Sequence, residues 1–138
     1  MHSERLVASQ TANETYNDYL RLCIQYPELS SYDVAKKRFK FSSPSYVRAA
    51  CTIDTERYLW FVSYLLNACE RIILDSKDGS DWHDVIWDQL DYHKPILTEM
   101  RNVWASHYYP ALRRIICDVT ECPGCEDCQA EDAGIRAT

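Results

Sequence analysis

Residues 58–69 constrain this chain more than any other stretch. The run Tyr-Leu-Trp-Phe-Val, followed after Ser63 by Tyr-Leu-Leu, leaves almost no polar side on a helix. A helix that is apolar on most faces has to lie centrally, with neighbours on several sides. Its flanks extend the helix over residues 53–74, with Asp54 and Glu56 at the positive end of its dipole. The apolar run is short of the about 20 residues a membrane span needs, so it reads as a core helix.

Other segments carry the same period. Tyr16, Tyr19, Leu20, Cys23 and Ile24 share one face of a helix predicted over 9–25. Thr11 and Glu14 have the capping-box spacing for its start. Ser80 is placed to cap a third helix over 81–93, with Trp82, Val85, Ile86 and Leu90 inward. Pro95 suits the first turn of a fourth helix running to about 117. Pro110 lies inside that segment and predicts a kink or break near Tyr109. Between the first two helices runs a long connection over 26–50, with a short helix at 32–39.

No segment alternates as a strand does. With only 3 glycines and 5 prolines, a many-stranded sandwich or a Gly-rich nucleotide-binding fold is disfavoured. The expectation is an all-α, single-domain antiparallel bundle of about four helices over 1–118. A Cys-rich acidic tail, expected to be flexible, follows over 119–138. The N-terminal residues hold Glu4 and Arg5 and no apolar core of a signal peptide. With seven cysteines, an odd number, this points to a reducing, cytoplasmic compartment.

Charge divides the chain. The net charge of −6 argues against bulk nucleic-acid binding. Asp81, Asp84, Asp88 and Asp91 recur at helical spacing as one acidic stripe, read as a solvated face. The loop before it does not fit a calcium EF-hand, because Leu74 would occupy the first ligand position. The basic excess gathers at Lys36, Lys37, Arg38 and Lys40, with Arg48 nearby. These residues are the candidate site for an anion, a lipid headgroup at a membrane surface, or a protein partner.

The strongest chemical motif is Cys117-x4-Cys122-x2-Cys125-x2-Cys128. Thiolates on a Pro-Gly turn can converge on one metal, so zinc, an iron–sulfur cluster and a redox dithiol all stay open. A cofactor-free polar tail is the default, because Glu121, Glu126 and Asp127 oppose thiolate formation. His83-Asp84 resembles half of a metal phosphohydrolase motif, but only His93 and His107 follow it. Capping and packing account for those two. An aromatic pocket lined by Trp60, Tyr64, Trp104 and Tyr108 is a further candidate, with Asn67 and Glu70 as polar partners for core aromatics. No catalytic residue is assigned.

Taken in order, residues 16–29, 56–74 with Glu70-Arg71, then Trp82, Trp87 and His93, then 108–116, resemble a loose group of bacterial helical proteins. That group has no assigned activity and usually carries a single N-terminal membrane helix. The resemblance implies a helical domain at the cytoplasmic face of a membrane. This sequence departs from the pattern in holding no such helix and in carrying the cysteine motif. The combined reading is a non-enzymatic interaction or sensor domain, with a protein partner or self-association. The alternative is a metal or redox protein acting through the C-terminal cysteines.

Overall fold

A computed structural model of the protein describes residues 2–39, 53–76, 80–104 and 107–122. In chain order its elements are α1 (His2–Gln25), a 3-10 turn (Pro27–Leu29), α2 (Tyr32–Phe39), α3 (Ile53–Asp75), α4 (Ser80–Asp91), α5 (Lys94–Glu99), α6 (Arg101–Trp104) and α7 (Pro110–Val119). Among the described residues there is no strand, so the all-α expectation holds. No described helix is long and apolar enough to cross a membrane.

The apolar run places α3 at the hub, touching α1, the 3-10 turn, α2, α4 and α7. Its buried side carries Tyr58, Phe61, Val62, Leu65, Leu66, Cys69 and Ile72. Each large apolar side chain so buried contributes about 1.5–3 kcal/mol relative to exposure. Tyr19 of α1 packs its ring 5.8 Å from Phe61. Its hydroxyl crosses to α4, donating to Oε1 of Gln89 at 3.1 Å. Tyr16 meets Trp82 edge-on at 5.5 Å. Aromatic residues thus weld α1, α3 and α4. The backbone N–H of Tyr32 donates to the Tyr92 carbonyl at 2.8 Å and anchors the start of α2.

Four expectations need correction. First, α1 begins at His2, so Thr11 and Glu14 do not cap it. Residues 2–10 contain no glycine or proline, and nothing stops the helix from extending through them. Within the helix, the Thr15 hydroxyl donates back to the Thr11 carbonyl at 3.0 Å. Second, Ile24 is 80% exposed, because Leu22, Cys23 and Tyr26 already fill that end of the core. Third, α3 is not buried all round: Trp60 is 71% exposed and Tyr64 lies on the same outer side.

Fourth, the single helix expected over 95–117 is divided into α5, α6 and α7. Met100 closes α5 with φ −97° and ψ 25°. Tyr109 is extended at ψ 149°, as the residue before a proline is driven to be. The break at Tyr109 is therefore where Pro110 predicts it, and Pro95 does open α5.

Candidate functional site

Along the lower flank of α3, residues Leu59, Val62, Ser63 and Leu66 fall at i, i+3, i+4 and i+7 and share one face. Opposite them stand Ile96 and Leu97 of α5, Met100, and Trp104 of α6. Together they line a half-open cavity of about 220 Å3, with His107 and Tyr108 completing its wall.

Two contacts hold the wall in place. The indole N–H of Trp104, 2% exposed, donates to the Leu97 carbonyl at 2.7 Å. The backbone N–H of Tyr109 donates to Oε2 of Glu70 at 2.9 Å and ties the turn before α7 to α3. Burial raises the Tyr108 hydroxyl pKa, and the Glu70 charge acts in the same direction, so the phenol stays neutral. The polar side chains on the lining are those of Ser63, Trp104, His107 and Tyr108. His107 is exposed and stands at the mouth. An apolar chamber with a few polar groups suits binding of a small, largely apolar molecule.

The aromatic pocket expected from sequence is half right. Trp104 and Tyr108 line the cavity, whereas Trp60 and Tyr64 face outward on α3. A helix step of 100° per residue places 60 and 64 on the side opposite 58, 62 and 65. Of the polar partners suggested for core aromatics, Asn67 is exposed, and Glu70 serves a backbone N–H. The hydroxyl of buried Tyr58 instead pairs with Nδ1 of His93 at 2.7 Å.

His93 is fully buried, with its ring between Tyr58 and Phe61. Its Nε2 has no hydrogen-bond partner. Burial lowers its pKa to about 4; the nearby Ser30 backbone opposes this weakly, without completing a hydrogen bond to Nε2. Its backbone also caps α5, its carbonyl accepting from the Leu97 N–H at 3.1 Å. The packing expected of His93 is present; it occupies the N-cap position of α5 but makes no side-chain capping hydrogen bond there.

The other candidates fall apart spatially. Lys36, Lys37 and Arg38 lie exposed in the last turn of α2, where their charges suit the negative end of its dipole. Lys40 and Arg48 lie outside the described residues. Cys117 and Cys122 are half-buried at the end of α7, and the Cys122 N–H donates to the Cys117 carbonyl at 2.9 Å. Cys125 and Cys128 lie outside the described residues. Asp84, Asp88 and Asp91 are exposed, as a solvated stripe requires. His83 sits 3.3 Å from Asp84 on that outer face. No group of three or more His, Cys, Asp or Glu converges among the described residues.

Comparison of the chain with protein-family profiles, with curated proteins and with solved structures finds no match.

Proposed function

We propose that this chain is a non-enzymatic helical sensor and interaction domain whose cavity takes a small, mainly apolar molecule bearing one hydrogen-bonding group. The observation that carries the reading is the chamber walled by α3, α5 and Trp104. Its volume of about 220 Å3 is below the range of about 300–1,000 Å3 common for drug-sized ligands. An apolar cavity of about 150 Å3 can hold benzene, so a single substituted ring is the matching size. Ser63 and Tyr108 on the lining offer a donor and acceptor for one polar substituent.

The chain's methionines are Met1 and Met100, so a methyl-labelled sample reports on the chamber through one internal signal. Titration with p-cresol should shift the Met100 methyl resonance saturably at about millimolar concentration or below. Val62→Phe, which fills the chamber, should abolish the shift. No saturable change up to about 5 mM would overturn the reading.

The antiparallel bundle belongs to the same proposal, with α1, α3, α4 and α7 as its long members. The short connection between α3 and α4 supports it. The resemblance to membrane-anchored bacterial domains adds a cytoplasmic, membrane-proximal setting. The exposed Lys36, Lys37 and Arg38 would then face anionic headgroups. Each such charge contributes about 1 kcal/mol at an anionic surface, so Lys36→Glu and Lys37→Glu together should release the protein from anionic vesicles.

A second reading keeps Cys117, Cys122, Cys125 and Cys128 as ligands for zinc or an iron–sulfur cluster. The turn that folds Cys122 back onto the Cys117 carbonyl favours it. Elemental analysis of untagged protein, with Cys117→Ser and Cys125→Ser variants, tests it. Stoichiometric metal lost in both variants supports this reading, and metal-free protein overturns it.

A further inference from the structure

The side of α3 turned away from the cavity carries four exposed apolar residues among charged and polar ones. Ile53, Trp60 and Leu74 are 79%, 71% and 53% exposed, and Tyr64 is exposed beside them. The remaining exposed large side chains among the described residues, such as Ile24 and Val34, are scattered singly over other elements. Isolated apolar residues on a surface are ordinary; a row along one helix marks a contact surface.

The row has a strict interval. Ile53, Trp60, Asn67 and Leu74 follow one another every seven residues. A seven-residue stripe drifts about 20° per repeat on a straight helix, and a left-handed crossing with a second helix absorbs that drift. At 1.5 Å per residue, α3 offers a strip about 34 Å long. One polar residue in such a seam, here Asn67, sets register at some cost in stability.

The ends of the strip complement each other. Reversing one copy of α3 against another brings Ile53 level with Leu74 and Trp60 level with Asn67. The same alignment brings Glu56 level with Arg71, and both are exposed on that side of the helix. Each pair occurs twice under a two-fold axis, as an isologous interface demands. The indole N–H of Trp60 then meets the Asn67 amide carbonyl. Arg71, which already holds Asp75 at 3.0 Å, gains a second carboxylate. A parallel pairing would instead set Arg57 against Arg57 and Arg71 against Arg71.

We infer that the outer face of α3 is a self-association surface, on which a second copy of this chain docks antiparallel through Trp60, Tyr64 and the Glu56–Arg71 pair. This names the partner for the interaction role proposed above. It leaves the cavity's Leu59, Val62 and Leu66 aside, which lie on another flank of α3; Ser63, level with Tyr64 of the second copy, borders both. A failed p-cresol titration and a failed dimer assay are therefore separate results.

The test is sedimentation velocity of the full chain with reductant, from about 1 to about 200 μM, since a contact of one helix pair is small. The expected result is a concentration-dependent monomer–dimer equilibrium. Trp60→Glu should weaken it at least about tenfold, as loss of a central aromatic anchor does. Glu56→Arg should also weaken it, and the double variant Glu56→Arg, Arg71→Glu should restore it. Far-UV circular dichroism checks that each variant folds; the substituted side chains are exposed. A monomer throughout the range, assembly beyond the dimer, indifference to Trp60→Glu, or failure of the double variant to restore association would each overturn the inference.

Discussion

The Tyr58 hydroxyl and Nδ1 of His93 stand 2.7 Å apart in the core, joining α3 to the start of α5. Both groups are held neutral. Burial raises the Tyr58 pKa, with Tyr32 and Asp33 acting in the same direction, and lowers that of His93 to about 4. The pair is therefore a neutral hydrogen bond, and a proton added to His93 is a charge placed in an apolar interior.

This sets a pH dependence. The unfolded chain protonates His93 near 6.5 and the folded chain near 4, so between those values the unfolded state binds more protons. Stability from this residue is complete above pH 6.5 and falls as the pH drops toward 4. The loss approaches about 3 kcal/mol. Urea unfolding between pH 7.5 and pH 4, read by far-UV circular dichroism, checks it. His93→Gln, which cannot titrate, should flatten that part of the curve. An unchanged slope in the variant would assign the acid sensitivity elsewhere.

His93 also shows how far sequence reading reaches. Its place at a helix start and its packing follow from Pro95 and the aromatic residues around it, but its partner Tyr58 does not. The two are 35 residues apart, and only the tertiary fold brings them together. The cavity was legible in the same partial way. Trp104 and Tyr108 stood out as large aromatics in the right segment. Trp60 and Tyr64 stood out equally and face the other way, because an all-apolar run gives no phase from which to choose the inner side. The division into α5, α6 and α7 was half visible: Pro110 announces the break at Tyr109, while Met100 carries no helix-stopping chemistry. The extension of α1 upstream of Thr11 was hidden because a plausible cap outranked a mere absence of breakers.

Trp104 should be the most sensitive residue of the cavity wall. Trp104→Phe deletes the N–H that satisfies the Leu97 carbonyl and leaves a buried acceptor unpaired. That alone costs about 1–3 kcal/mol, and the lost ring volume adds to it. We expect a marked fall in the urea midpoint with an unchanged slope. The p-cresol response at Met100 should weaken in the same variant, because the wall that shapes the chamber is loosened.

Glu70 tests the anchor on the other side of the chamber. It accepts the Tyr109 N–H across 39 residues and pins the extended residue before Pro110. Glu70→Ala should cost about 1–2 kcal/mol, the value of a hydrogen bond to a charged group at a partly exposed site. Glu70→Gln, which retains an acceptor oxygen, should recover much of it. Amide hydrogen exchange at Tyr108 and Tyr109 should accelerate in the alanine variant more than exchange within α3 does. Equal acceleration everywhere would show a global effect and not a local anchor.

The cysteines offer a reading of core opening. Burial pushes the Cys69 thiol up to about 12, and its side chain is 3% exposed on the inner face of α3. Cys23 is half-buried; burial raises its pKa too, and the Tyr19 hydrogen bond partly offsets this. Thiolates are the reactive form, so alkylation at pH 8 should take Cys23 well before Cys69. Labelling of Cys69 then requires the α1–α3 interface to open, and its rate should track global stability across urea concentrations. Peptide mapping after timed iodoacetamide exposure separates the two sites. If Cys69 reacted as fast as Cys23 in the native protein, α1 would have to leave α3 far more often than the Tyr19–Phe61 packing and the Tyr19–Gln89 hydrogen bond permit.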